Sequence, residues 1–318
     1  MATVTTTNQQ RRALELASLD RKQRSLWADA WYRLRRNKGA MAGLFVIAFA
    51  AFVALTAQWI APYDPVQQNT PIALSDPIWT QSKYVTDGHP LGTDALGRDT
   101  LSRLIYGARV SMVVGVVPTI LVFTIGISVG MLSGFKGGMV DNLLMRFTDV
   151  IYAFPDLLFL VIIVGLLRDT ALGNLLGGLV LIFAALAVVN WVGLARLVRG
   201  QVLSLKEKEF VEAARAIGAR PGRIMLRHLF PNTLAPIIVA LAFSIPGAIL
   251  GEASLGYLGI GIKPPTPTWG VMINDGFVVF STSPWPVFLP ALCISLVMLA
   301  FTFLGDGLRD ALDPRMKN

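Results

Sequence analysis

Six long apolar segments constrain this chain more than any other feature of its sequence. Each covers about 20 residues, the length at which an α-helix crosses the hydrocarbon core of a bilayer. They lie at about 40–61, 110–135, 143–167, 171–195, 233–259 and 285–305. In lipid only helices and closed barrels satisfy every backbone polar group, and these segments are continuously apolar rather than alternating. The sequence therefore predicts an all-α polytopic membrane protein with six transmembrane helices.

The composition and the charge pattern agree with this class. Of the 318 residues, 54% are hydrophobic and 15% are charged, whereas a soluble chain has about 25% charged residues. The net charge of +8 follows the loops, since 22 of the 28 Lys and Arg residues fall on one side of the predicted spans. Positive loops stay in the cytoplasm, so both termini are expected to be cytoplasmic. Because the basic residues follow the topology, nucleic acid is not expected as a partner.

The predicted spans divide the chain into five parts. Residues 1–39 form a cytoplasmic tail, residues 40–61 the first transmembrane helix, and residues 62–109 an external segment. Residues 110–308 form a core that contains the other five spans, and residues 309–318 form a cytoplasmic C-terminal tail.

The first tail ends in the pattern of a basic amphipathic helix. Trp27, Trp31 and Leu34 recur at helical spacing, and most of the residues around them are polar or basic. Such a helix lies in the membrane interface, in contact with lipid. A positively charged flank that only sets the topology is an equally good interpretation.

Two external stretches have more than one interpretation. Asp99 is placed to cap a helix that leads into the second span. The segment around it is either a packed lid over the external mouth or a contact surface for the substrate or a binding protein. The proline-rich stretch 263–270 is stiff and extended, and is either a rigid connection between spans or an external gate.

Small and polar residues inside the spans predict packing contacts and a candidate path. Gly126, Gly130 and Gly134 lie on one face of the second span, where small residues let two helices approach closely. Glu252 and Asn190 are the candidates to line a translocation path, because polar groups at membrane depth are costly. The alternatives are a buried carboxylate that braces two spans and an amide that bonds two helices together.

The loop between the fourth and fifth spans, about 200–231, predicts a docking element. Its helical pattern places four small or apolar side chains on one face, namely Phe210, Ala213, Ala214 and Ile217. Gly218 is suited to the left-handed residue after a helix, and Pro221 prevents continuation. A second short helix is expected over 222–230. A thin amphipathic helix of this kind docks into a groove on a partner.

No catalytic or cofactor site can be assembled from the residues. The Gly-x-x-x-x-Gly-Lys-[Ser/Thr] phosphate loop is absent from the sequence, so any use of ATP is expected to come through a partner. The only histidine and cysteine residues are His89, His228 and Cys293, which are too few to favour histidine catalysis or metal binding. A non-catalytic subunit without cofactor or metal is expected.

The order Glu212-Ala213-Ala214, three residues, Gly218, twelve residues, Pro231 resembles the cytoplasmic motif of permeases from binding-protein-dependent ABC importers. The variant formed by His228, Pro231 and Asn232 is similar to the oligopeptide and dipeptide branch, and specifically to its C-type permease. Further matching stretches lie at 90–94, 97–99, 264–267, 269–270 and 305–314.

The resemblance implies a bacterial inner-membrane subunit that forms half of the path of an ATP-driven peptide importer. Implied partners are a homologous B-type permease, two ATP-binding subunits, an extracytoplasmic solute-binding protein and a peptide substrate. The Glu-Ala-Ala helix is then a coupling helix between transmembrane helices four and five, with its contact to the ATPase at Glu212, Ala213, Ala214, Gly218, His228, Pro231 and Asn232. The rivals are a secondary transporter of small solutes driven by an ion gradient, and, with less support, a membrane-embedded enzyme.

Overall fold

The computed structural model describes residues 26–80 and 82–313, without the side chains of residues 26 and 27. The predicted contribution of Trp27 and most of the N-terminal tail therefore lie outside the described part of the chain. Within that part the structure is helical and has no β-strand, only two isolated β-bridges. Five helices are long and apolar enough to cross a membrane, and a bent pair makes a sixth span possible.

The helices are numbered α1 to α12 in chain order. They are α1 Leu26–Arg36, α2 Lys38–Ile60, α3 Thr100–Lys136, α4 Gly138–Tyr152, α5 Asp156–Leu167, α6 Ala171–Asn174, α7 Leu179–Leu205, α8 Glu209–Ala216, α9 Pro221–Ile224, α10 Phe230–Tyr257, α11 Trp269–Phe277 and α12 Trp285–Leu312. Short 3₁₀ turns lie at Thr70–Ile72, Ile78–Thr80 and Leu175–Gly178, and a π-helical turn at Met225–Leu229.

The second span begins much earlier than its apolar run. Helix α3 starts at Thr100, and Asp99 caps it by accepting a hydrogen bond from the Ser102 backbone N–H. The predicted cap is confirmed, and the helix that it begins is continuous with the second apolar run. These first turns lie outside the apolar segment that predicted the span, because they carry Arg103 and Arg109.

The third apolar run is not one straight helix. Helices α4 and α5 meet at an angle of 83° across a short break. Pro155 occupies the N-cap of α5, where its missing backbone N–H costs nothing. A continuous apolar run therefore concealed a sharp bend.

The fourth span is shifted toward the coupling loop. Residues 171–178 form the four-residue helix α6 and a turn in which Leu176 and Gly177 have positive φ. Helix α7 then runs to Leu205, well beyond residue 195, where the apolar run ended because Arg196 and Arg199 follow.

Helices α3 and α7 pack closely along the face of α3 that carries the three glycines. A Cβ atom added at Gly126 would lie 3.0 Å from the Leu194 side chain, and one at Gly130 would lie 2.5 Å from the Ala195 carbonyl oxygen. A Cβ atom added at Gly134 would be similarly close to the Val202 side chain. The bare backbone of α3 lets α7 lie directly against it, which confirms the predicted packing seam.

The Gly130→Leu substitution is expected to force α3 and α7 apart. Overpacking of this kind typically lowers the free energy of unfolding by about 1–3 kcal/mol. The added side chain would meet backbone atoms, which cannot rotate away as a side chain can. The melting temperature of the purified chain in detergent measures the effect. Gly165→Leu is the matched control, because nothing lies within 4 Å of a Cβ added at Gly165. Equal melting temperatures of the two variants would show that the seam is loose.

Candidate functional site

The loop between α7 and α10 contains the predicted docking helix. Helix α8 begins after Lys208, with Glu209 and Glu212 in its first turn and Arg215 in its last. This order of charges complements the helix dipole. Gly218 follows the helix with φ +80°, and the Ala219 N–H donates to the Ala214 carbonyl oxygen at 3.0 Å. The predicted glycine stop is confirmed.

The two faces of α8 differ from the prediction. Val211 and Ala214 are buried and pack in one cluster with α7 residues, among them Val198 and Val202. The prediction that Ala214 shares one face with Phe210, Ala213 and Ile217 is therefore wrong. Ala214 faces the core of the chain, beside Val211.

The outward face of α8 is apolar and has no partner within the described part of the chain. Phe210 is 39% exposed and Ile217 is 85% exposed. Ala213 and Glu212 are also exposed. Three turns later Leu226 adds another apolar side chain that is 69% exposed. Large apolar groups at the tip of a charged loop are typical of a contact surface for another protein.

The second half of the loop is continuous with the fifth span, so the predicted separate helix over 222–230 is wrong. Helix α9 passes through the π-helical turn Met225–Leu229 directly into α10. Pro231 cannot donate a backbone hydrogen bond, and the wider turn just before it lets the helix continue. In that turn the Phe230 N–H donates to the Met225 carbonyl oxygen.

His228 and Asn232 contribute to this joint. The Asn232 side-chain amide donates to the His228 carbonyl oxygen at 2.6 Å. The His228 side chain is half-buried and Asn232 is exposed. Their positions place them at the junction between the docking helix and the membrane span.

Charges surround the apolar face with a positive excess. Between residues 206 and 227 there are six basic and three acidic side chains. The basic ones are Lys206, Lys208, Arg215, Arg220, Arg223 and Arg227. A partner groove that is apolar at its centre and acidic at its rim would match this surface.

An ion pair that the sequence did not predict holds α7 at the same end of the bundle. The Arg199 guanidinium donates two hydrogen bonds of 2.6 Å to the Asp141 carboxylate of α4. The Ser133 hydroxyl of α3 also donates to Asp141. A second ion pair joins the same two helices, since the Arg196 guanidinium of α7 lies 2.7 Å from the Asp149 carboxylate of α4.

The structure separates the two candidates for the translocation path. Asn190 is exposed on α7, and its amide donates to the Leu186 carbonyl oxygen of its own helix at 2.9 Å. The interpretation of Asn190 as a bond between two helices is therefore wrong. Glu252 is 0% exposed and does not face an open path in this conformation.

Glu252 lies where α10 and α11 meet through glycines. Cβ atoms added at Gly256 and Gly270 would lie within 3.0 Å of the backbone of the opposing helix. Neither carboxylate oxygen of Glu252 makes a hydrogen bond of good geometry, and the Thr268 side chain lies close to the carboxylate. No basic side chain pairs with it among the described residues.

The Glu252→Gln substitution is expected to leave the melting temperature unchanged or to raise it. Glutamine keeps the shape and removes the need to bury a charge, which is costly without a partner. A clear loss of thermal stability in detergent would contradict this and would indicate a stabilising partner for the carboxylate. Glu252→Leu serves as the control for shape.

The external segment packs as a cap on the ends of α3 and α11. Asp94 accepts from the guanidinium groups of Arg98 and Arg103, and both arginines also donate to Asp275 of α11, at 2.9 and 3.0 Å. His89 contacts the Asp99 carboxylate at 2.8 Å. The packed-lid interpretation therefore describes residues 89–103.

An external groove of about 570 Å³ lies beside this cap. It is lined by the end of α2, the start of the external segment, Tyr106 and the proline-rich stretch at 265–267. The Pro264–Pro265 bond in that stretch is cis.

No group of three or more His, Cys, Asp or Glu residues suited to a metal ion occurs in residues 26–80 and 82–313. The chemistry of the docking loop is that of a binding surface, with apolar side chains, a glycine stop and a rim of charge.

Two family models match the chain. The model described as binding-protein-dependent transport system inner membrane component matches residues 126–318, which is more than half of the chain. The model described as N-terminal TM domain of oligopeptide transport permease C matches residues 25–77.

Named relatives agree with these matches. The dipeptide transport system permease protein DppC of Bacillus subtilis is 42% identical over 95% of this chain and 90% of its own length. The protein of that name from Escherichia coli is 42% identical over 91% and 93%. The oligopeptide transport system permease protein OppC of Haemophilus influenzae is 40% identical over 92% and 89%.

A solved structure supports the fold. The inward-facing MetNI methionine ABC transporter has a chain that matches with a TM-score of 0.53 and 19% identity, over 66% of this chain and 96% of that chain. The family models match two parts of this chain, and the relatives match nearly its whole length. The chain belongs to the binding-protein-dependent ABC importer permeases, as a non-catalytic, multi-pass inner-membrane subunit of the C-type oligopeptide and dipeptide branch.

Proposed function

We propose that the chain forms half of the translocation path of an ATP-driven peptide importer and that α8 is its coupling helix. The observation that carries the proposal is the outward apolar face of α8, formed by Phe210, Ala213 and Ile217. The face is unpartnered in the described chain and lies on the most basic loop. An ATP-binding subunit with a matching cleft would cover it.

The connections of α8 explain how a movement of the ATPase would reach the membrane. Val211 and Ala214 lock the helix onto α7, and α9 is continuous with α10. A displacement of α8 therefore moves both spans that flank the loop. A loaded binding protein can shift such an equilibrium only by favouring one of the two states.

The partners follow from this role. We expect a homologous B-type permease, two ATP-binding subunits and an extracytoplasmic solute-binding protein, with both termini of this chain in the cytoplasm. Peptide is the proposed substrate because the relatives are dipeptide and oligopeptide permeases. Asn190 on the exposed side of α7 is a proposed path residue, and Glu252 becomes one only if α11 moves away from α10.

Uptake of a labelled dipeptide into proteoliposomes that hold the assembled importer tests the function. We expect uptake that requires ATP and the binding protein and that is unaffected when a protonophore collapses the proton gradient. Uptake that continues without ATP and stops with the protonophore would instead indicate a secondary transporter. ATP-dependent uptake of another solute, with no dipeptide uptake, would contradict only the substrate.

A further inference from the structure

Helix α1 is fixed to the end of α12 by one face. Ala30 and Leu34 are buried in a cluster with Ala40 and with Leu308 and Ala311 of α12. A Cβ atom added at Gly307 would overlap the Ala40 side chain and lie 3.2 Å from Leu34. The position of α1 is therefore set by close packing, and its other face is left outside.

The outer face of α1 is aromatic and basic. Trp31 is 50% exposed and Tyr32 is 49% exposed. The Arg35 guanidinium lies 5.9 Å from the centre of the Trp31 ring, and that of Arg36 lies 5.6 Å from the Tyr32 ring. These cation–π contacts hold the rings and the charges on the same surface.

Within residues 26–80 and 82–313, no ion pair neutralises the positive charge of this face. Arg33, Arg35, Arg36 and Lys38 form no ion pair with an acidic side chain among the described residues. Asp29 is the acidic residue of α1. The face is therefore complementary to a partner that supplies several negative charges.

The neighbouring helix places this face at the lipid boundary. Asn37 leaves the helical conformation and caps α2 through a hydrogen bond from the Ala40 N–H. Helix α2 then presents large apolar side chains outward, including Phe45, Leu55 and Trp59. Since α2 faces hydrocarbon, α1 at its end lies at the depth of the headgroups, where Trp, Tyr and Arg are favoured.

We propose that the outer face of α1 binds the headgroups of anionic phospholipids. The arginines contact the lipid phosphates, Trp31 and Tyr32 lie among the upper acyl chains and the glycerol groups, and the bound lipids hold α1 against α12. The proposal commits to membrane lipid rather than to a soluble anion or an acidic protein. It is independent of ATP coupling and of the substrate.

The test uses the full-length chain in nanodiscs of phosphatidylcholine with brominated phosphatidylglycerol or brominated phosphatidylcholine as the quencher. Quenching at Trp31 is obtained by difference from the Trp31→Phe variant. We expect stronger quenching by the anionic lipid and a graded loss as arginines 33, 35 and 36 are changed to Gln, about fivefold in apparent affinity for each charge.

Two further variants and one competitor make the result specific. The triple Arg→Lys variant at positions 33, 35 and 36 is expected to keep most of the preference. The matched variant, with Arg215, Arg220 and Arg223 changed to Gln, loses three positive charges at another place in the chain. It is expected to keep the full preference for the anionic lipid. Inorganic phosphate is expected not to compete.

Equal quenching by the two lipids would overturn the proposal, and so would a full preference in the triple Gln variant. Competition by inorganic phosphate would indicate a site for soluble anions and would also overturn it. Should an acidic partner protein cover α1, the Trp31 signal would be protected from both lipids in the assembled importer, which again contradicts lipid docking.

Discussion

Replacing Glu212 by lysine or Gly218 by aspartate is expected to abolish uptake while the chain still inserts into the membrane. Glu212 is exposed in the first turn of α8, so lysine removes one of the three acidic side chains of the loop and opposes the helix dipole. A Glu212 carboxylate that is buried against a basic group in the partner's cleft would lose about 2–5 kcal/mol of binding free energy on this change. Such a loss separates α8 from the ATP-binding subunit without unfolding the spans.

The Gly218→Asp effect has a second cause. Gly218 has φ +80°, a conformation that costs a residue with a side chain about 1–2 kcal/mol. The added carboxylate also lies next to Ile217, the most exposed apolar side chain of the docking face. Both effects act on the end of α8 and leave the membrane helices untouched.

ATP-dependent peptide uptake, normalised to the amount of the chain in the membrane fraction, measures both variants. Glu207→Lys and Gly222→Asp are the matched controls, because both residues are exposed, outside α8, and Gly222 has no positive φ. The controls are expected to retain uptake. Wild-type uptake by the Glu212 or Gly218 variant would contradict a docking role for α8.

The Arg103→Met substitution is expected to cause a large loss of stability. Arg103 is 2% exposed and donates to both Asp94 and Asp275. Removing one member of a buried charge network costs about 3–5 kcal/mol, since the remaining charges stay buried without compensation. The cap of the external segment then loses its attachment to α3.

Thermal unfolding in detergent compares Arg103→Met with Arg109→Met, an exposed arginine on the same helix. The first variant is expected to melt at a clearly lower temperature and the second close to wild type. Asp275→Asn is expected to have an intermediate effect because the Asp275 side chain is 35% exposed. Similar melting temperatures for the two arginine variants would show that the network contributes little.

Apolar length located the membrane helices, and glycine spacing predicted that one face of the second span packs closely against another helix. The α3–α7 seam follows from three glycines four residues apart, because a missing side chain has a direct geometric consequence. The Asp99 cap and the Gly218 stop were predicted for the same reason, since each depends on local backbone chemistry that one residue determines.

The remaining features depend on partners that are distant in the sequence. The first turns of α3 lie outside the apolar run because they carry Arg103, and only Asp275, 172 residues away, together with Asp94 compensates its charge. The inward face of α8 depends on the packing of Val211 against α7. The bend between α4 and α5 was not predicted, because hydropathy indicates the length of an apolar segment and not the direction of its helix axis.

Crosslinking from the outward face of α8 tests the central claim most directly. Cys293, the single cysteine of the chain, is changed to alanine and a cysteine is introduced at Ile217, with Gly165→Cys on α5 as the control. In the assembled importer the cysteine at position 217 is expected to crosslink to an ATP-binding subunit, and the control is not. Labelling of position 217 by an impermeant reagent from outside the cell, or no crosslink to an ATP-binding subunit, would contradict the account.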